Sequence, residues 1–166
     1  MGVNPLVAYG ALLEGAFGNP NSIAETLLRT IPLALAGIGV AIAFQAGVFN
    51  VGAEGQLFIG GMAAAWVGLQ VGGFPPIIAL TLMLLAAMLA GAMWAGIAAF
   101  LKVRFHASEL INTIMLNYVA IFLVSYLVHG PFQDPDSPLG QTARLTRAAS
   151  LPVILPGTRL HWGILL

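Results

Sequence analysis

The side chains that could do chemistry in this chain fall in two polar clusters set in an apolar background. The first is Gln45, followed by the run Phe49-Asn50-Val51-Gly52-Ala53-Glu54-Gly55-Gln56. Its two glycines and its polar Asn50, Glu54 and Gln56 interrupt a stretch that is otherwise suited to lipid. Polar groups and unwound backbone at membrane depth are tolerated only where they face protein or a water-filled cavity. One reading is therefore a broken helix that lines a solute path, a common way to build a site between membrane helices. The other is a plain cytoplasmic turn, with Glu54 solvated and the glycines serving as turn residues. Spacing alone leaves both open.

The second cluster is Glu109, Thr113 and Asn117. Four-residue spacing puts the three on one face of a helix, with Asn112 to one side. Ser108 suits the N-cap of that helix. A carboxylate at Glu109 is favourable beside the positive N-terminal end, which is a sufficient structural reason for its presence. Asn117 lies two turns further in, where an amide must find a partner: another helix or a solute.

Familiar catalytic arrangements are absent. The chain has no GxxxxGK[ST] phosphate loop, no G-x-S-x-G nucleophile elbow and no His-rich ligand cluster. His106, His129 and His161 are scattered at expected helix edges, so no metal, no cofactor and no catalytic residue is expected, and the chain does not read as an enzyme. If transport is powered by ATP, the ATPase is another chain.

The elements that must position these residues follow from composition. Of 166 residues, 59% are hydrophobic and 7% are charged, against about 25% charged in a soluble domain. Six basic and six acidic residues cancel, which leaves no footprint for nucleic acid and no polybasic patch for a lipid surface. The absence of cysteine excludes disulfides and thiolate metal sites. The opening MGVNPLVAYGALLEGAFG has no basic start and no small-residue cleavage site, so it is not a signal peptide, and Leu6 stands where myristoylation needs Ser or Thr.

A membrane span needs roughly 17 to 25 mainly apolar residues. Four segments qualify, 31–49, 57–73, 77–101 and 110–128, and another starts near 160. The expected fold is all-α: a partial, polytopic transmembrane helical bundle forming one membrane domain over 1–166, a fragment of a longer membrane protein or a truncated gene product. Ser22 and Glu25 match a capping box at the start of the first membrane helix, and Pro32 predicts a kink in it. Small residues recur every fourth position at Gly39, Ala43 and Gly47, at Gly60, Ala64, Gly68 and Gly72, and at Ala87, Gly91, Ala95 and Ala99. Such faces let helix backbones approach closely.

Lys102 and Arg104 abut helix ends in the link KVRFHASE, which places residues 102–109 in the cytoplasm, although Arg29, Arg144, Arg147 and Arg159 on the opposite side outnumber them. Residues 129–159 then form an extracytoplasmic loop. Its five prolines and the acidic pair Asp134 and Asp136 disfavour burial in lipid.

GVFNVGAEGQLFIGGMAAAW followed by LKVRFHASELINTIMLNYVAIFLVSYLV resembles the permease subunits of bacterial ABC importers for nucleosides and simple sugars, of the branched-chain amino acid and ribose permease type. PLVAYGALLEGAFGNPNSIAETLLRTIPLALAGIGVAIAF is similar to the same family. The resemblance implies a multi-pass protein of the bacterial inner membrane, embedded in membrane lipids. It also implies an ATP-binding subunit, a second permease subunit and an extracytoplasmic substrate-binding lipoprotein as partners. A neutral hydrophilic solute would cross by alternating access, and Gln45, Phe49, Asn50, Glu54, Gln56, Asn112, Thr113 and Asn117 are the expected path residues. Amides can pair with ribose hydroxyls or base edges, and Phe49 can stack on a ring. The rival expectations are a structural or assembly membrane protein without a path, in which every polar residue is helix glue, and a secondary transporter or channel.

Overall fold

A computed structural model describes residues 4–146, 149–154, 157–161 and 163. Five helices follow one another: α1 (Pro5–Phe17), α2 (Pro20–Gln45), α3 (Ala53–Gln70), α4 (Pro76–Phe105) and α5 (Glu109–Val128). Among the described residues the only pairing of extended backbone is an isolated antiparallel bridge between Val153 and His161. The chain is all-α, as its composition requires.

Three helices, α2, α4 and α5, are long and apolar enough to cross a membrane, one fewer than the four segments read from the sequence. The difference is α3. It has the length, with 18 residues, but Glu54, Gln56 and Gln70 near its ends and four glycines dilute its apolar content. From His129 the described residues form turns, one of them closed by the Asp134 N–H donating to Gln141 O at 2.8 Å. The helix expected to start near 160 falls largely on residues 162 and 164–166, outside the described residues.

The start of α2 is set earlier than the capping box suggests. Asn19 Oδ1 accepts the Ser22 N–H at 2.8 Å, and Pro20 is the first helical residue. Proline suits that position because its missing N–H would have had no partner in the first turn. Ser22 therefore lies inside the helix rather than at its cap. The helix then continues through Pro32 to Gln45.

The chain divides into two compact units, residues 1–35 with 151–166, and residues 36–150. In the first, Thr26 Oγ1 donates to Ala16 O at 3.0 Å and so ties α2 to α1, while Arg159 comes within 4.0 Å of Glu25. In the second, α3 packs against both α4 and α5.

The α3–α4 contact is antiparallel and uses the small residues. A Cβ placed on Gly60 would lie 2.9 Å from Ala87 O, one on Gly91 would lie 3.3 Å from Gln56 O, and one on Gly68 would meet the Met83 side chain at 3.0 Å. Two of these neighbours are backbone carbonyls, which cannot rotate away. Gly60→Ala is therefore expected to lower stability by about 1–3 kcal/mol, the usual cost of overpacking. Gly61→Ala, where nothing lies within 4 Å, should leave it unchanged. Thermal unfolding of the two variants in detergent checks the contrast.

Candidate functional site

The site is built on the link between α2 and α3. Helix α2 ends in a Schellman motif: the Val48 N–H donates to Ala43 O at 2.9 Å and the Gly47 N–H to Phe44 O at 3.0 Å. Gly47 has φ +75°, a conformation that glycine adopts without steric cost. The chain then runs without helix through Asn50. There the Asn50 side chain organises the next turn: its Oδ1 accepts the Gly52 N–H at 2.9 Å and Gln56 Nε2 at 3.1 Å. Helix α3 begins at the following residue, Ala53.

Helix α5 grips this link at two heights. Glu109, its first residue, accepts the Phe49 N–H at Oε2 (3.1 Å) and receives Lys102 Nζ at Oε1, so one carboxylate joins the link to α4 and α5. Two turns further on, Asn117 Oδ1 accepts the Gly55 N–H at 2.8 Å while Asn117 Nδ2 donates to Val51 O at 3.0 Å. Gly55 is the third residue of α3, so its N–H is one of the four that a helix start leaves without an internal partner. Asn117 thus caps α3 from another helix. Between the two grips, Thr113 is 5% exposed, and its hydroxyl donates back to Glu109 O at 2.8 Å.

Lys102 reaches Glu109 because α4 runs on to Phe105 and stops sharply. His106 has φ +54°, the only non-glycine residue with positive φ among those described, and its N–H returns to Lys102 O at 2.9 Å. This left-handed stop turns the chain within three residues into α5.

A cavity of about 440 Å³ lies where the end of α2, the link, and the facing ends of α4 and α5 meet. Phe49, Asn50, Thr113, Lys102 and Glu109 contribute to its wall, and Ala95, Gly96, Ala98 and Ala99 of α4 line its small-residue side. Phe49 is 61% exposed, and its ring leans on Phe44, with ring centroids 5.3 Å apart and planes tilted by 52°. The cavity's two charged side chains are paired with each other.

Of the eight residues singled out in the sequence, Phe49, Asn50 and Thr113 line this cavity. Gln56 and Asn117 stand behind it, engaged with Asn50 and with the backbone of Val51 and Gly55. Gln45 and Glu54 are exposed, and neither has a side-chain bond to another described residue. Asn112 does not line the cavity, and its Nδ2 is buried without a partner among the described residues. Lys102 and Glu109 belong to the cavity wall but were read for topology and for helix capping. Their seven-residue separation across a helix stop was the available signal that they pair.

Comparison with known proteins gives a consistent picture. The model of the family described as branched-chain amino acid transport system, permease component, matches residues 22–166. The chain is 42% identical over 152 residues to the glucose ABC transporter permease protein of Haloferax volcanii, covering 92% of this chain and 40% of that protein. It is 41% identical over 160 residues to the guanosine ABC transporter permease protein of Bacillus subtilis, covering 95% and 45%. With the nucleoside ABC transporter permease protein of Lactococcus lactis it shares 34% identity over 152 residues, covering 90% and 42%. The chain therefore spans less than half the length of these curated relatives. No solved structure gives a significant match.

Proposed function

The chain belongs to the branched-chain amino acid transport permease family, and from that premise we propose that it is a membrane-spanning part of an ABC-type importer that passes a neutral hydrophilic solute across the cell membrane. The solute is a nucleoside or a simple sugar and moves by alternating access. ATP is hydrolysed by a separate ATP-binding subunit. A second permease subunit and an extracytoplasmic binding lipoprotein complete the assembly. The relatives' named solutes, glucose, guanosine and nucleosides, support this class.

The observation that carries the reading is the charge-balanced cavity. Lys102 and Glu109 satisfy each other, so the wall offers an aromatic face at Phe49, an amide at Asn50 and a floor of small residues, with no net charge to select an ion. A ring could stack on Phe49 while a hydroxyl or ring-edge acceptor takes an N–H of the Asn50 amide, whose oxygen is held by Gly52 and Gln56. The Phe49–Glu109 bond puts this cavity at the same end of the bundle as residues 102–109. With that link in the cytoplasm and residues 129–159 outside, the cavity lies at the cytoplasmic end of the path.

Uptake by the complete permease tests the reading. Stacking of a base on an aromatic side chain is worth roughly 1–3 kcal/mol by alanine substitution. Phe49→Ala is therefore expected to raise the KM for guanosine by about fivefold to a hundredfold, and to affect glucose less. Unchanged KM for every solute at normal membrane abundance would overturn the assignment of this cavity to the path.

A further inference from the structure

We propose that Glu109 and Asn117 are positioning residues, which hold Phe49 and Asn50 in the cavity by gripping the backbone on either side of them, and that Asn117 does not touch the solute. The inference rests on the cavity being the solute path and adds how its wall is held. Glu109 takes the backbone N–H of Phe49, and Asn117 takes the carbonyl of Val51 and the N–H of Gly55. Phe49 and Asn50, which both line the cavity, are thus bracketed from α5.

Its two bonds to the link and its place outside the cavity wall give Asn117 this role. Its amide has an acceptor end and a donor end, and each already faces a backbone group of the opposite kind at 2.8 and 3.0 Å. The amide keeps one N–H and one lone pair, but a solute that took either bond in use would leave a backbone group at membrane depth without a partner, which is costly. Asn117 also lies outside the cavity wall. Glu109 is similarly committed, one oxygen to Phe49 and the other to Lys102. The link's other hydrogen bonds are local: from the Asn50 N–H to Val48 O, from the Gly52 N–H to Asn50 Oδ1, and between the Asn50 and Gln56 side chains. They shape the link and tie it to the start of α3, but none of them reaches α4 or α5. Only a side chain that both donates and accepts can serve Val51 and Gly55 together, so Asn117→Asp keeps one bond and opposes the other, and Asn117→Leu removes both at similar volume.

The 166 residues contain no cysteine, so Phe49→Cys in the full-length permease provides a reporter within this region. Its labelling rate by a small methanethiosulfonate reagent is measured in membranes holding the whole transporter. Asn117→Leu is expected to change that rate by about fivefold or more. It should leave the rate at Tyr118→Cys, an exposed α5 residue outside the cavity wall, unchanged. Glu109→Ala should change the Phe49→Cys rate more than Glu109→Gln, which keeps an acceptor for the Phe49 N–H. With residue 49 native, Asn117→Leu should lower uptake of guanosine and glucose by a common factor, because a residue that acts through the link has no preference between solutes. An unaltered Phe49→Cys rate in Asn117→Leu, or a loss confined to one solute, would overturn the proposal. If Asn117→Leu does not accumulate, Asn117→Asp is read in the same way. Failure of the path reading is separable: Phe49→Ala would then leave uptake untouched, while the labelling rates would still respond to Asn117.

Discussion

Glu109→Lys is expected to reduce uptake by the complete permease by about tenfold or more, and to be worse than Glu109→Gln or Lys102→Gln. Three consequences of one reversal act together. The Phe49 N–H loses its acceptor, because an ammonium only donates. Two cations are brought together where an ion pair stood, with the side chain at 109 only 14% exposed and Lys102 47% exposed. A positive charge is also set at the N-terminal end of α5, the end that favours a negative one. Glu109→Gln incurs only the loss of the ion pair, since its amide oxygen can still accept from Phe49. Lys102→Gln leaves the Phe49 bond intact, and a half-exposed ion pair contributes little by itself. The double variant Lys102→Glu/Glu109→Lys should recover part of the loss and not all of it. It restores opposite charges but supplies no acceptor at position 109. Uptake measured at matched membrane abundance across the four variants checks this order. Wild-type uptake in Glu109→Lys would show that the Lys102–Glu109 clasp in the cavity wall is inert.

How much of this was legible in the sequence varied by element, for physical reasons. Helices α4 and α5 are long apolar runs, so the expected segments 77–101 and 110–128 lie within or almost coincide with Pro76–Phe105 and Glu109–Val128. The extension of α4 through Lys102 and Arg104 escaped a hydropathy reading because charged residues end the apolar run before they end the helix. Its stop at His106 uses a left-handed residue that is not glycine, so no glycine marks it. At the other end of the chain, Pro20 and Asn19 start α2 well before its apolar part begins.

Helix α3 was read as 57–73 and spans Ala53–Gln70. Its polar first turn is helical because Asn117, 62 residues beyond Gly55, satisfies the Gly55 N–H. No local pattern contains that information. The small-residue registers located the α3–α4 contact, at Gly60 against Ala87 and Gly91 against Gln56. They did not tell a used face from an idle one, since a Cβ on Gly39 would meet nothing within 4 Å. The same limit applies to the amides. Asn50, Asn112 and Asn117 look alike in sequence, and only the geometry separates a cavity wall, a buried nitrogen without a partner among the described residues, and a cap on another helix.

Gly55→Val is expected to be the most damaging of the packing changes and to remove the folded protein rather than its selectivity. A Cβ on Gly55 would lie 2.9 Å from Asn117 Oδ1, 3.1 Å from Asn117 Cα and 3.2 Å from Ala120 Cβ. The second and third of these atoms are fixed to the α5 backbone, and Ala120 is fully buried, so neither can move aside without the helix. The variant must push α5 away from α3, and the displacement falls where Asn117 caps Gly55 and holds Val51. Overpacking costs about 1–3 kcal/mol. Each lost hydrogen bond adds roughly 0.5–1.5 kcal/mol, and more if the freed backbone group stays dry. Together these approach the whole stability of a typical domain, about 5–15 kcal/mol at its lower end. Gly55→Ala carries the same first contacts with less bulk. Combining it with Ala120→Gly relieves the 3.2 Å contact but not those with Asn117, so only part of the loss should return. Gly61→Val adds the same side chain to α3 where nothing lies within 4 Å and should accumulate normally. Membrane abundance and thermal unfolding of Gly55→Val, Gly55→Ala/Ala120→Gly and Gly61→Val decide the matter. A normally abundant, normally stable Gly55→Val would mean that α3 and α5 do not cross this closely, and the bracketing of Phe49 and Asn50 by α5 would lose its geometric basis.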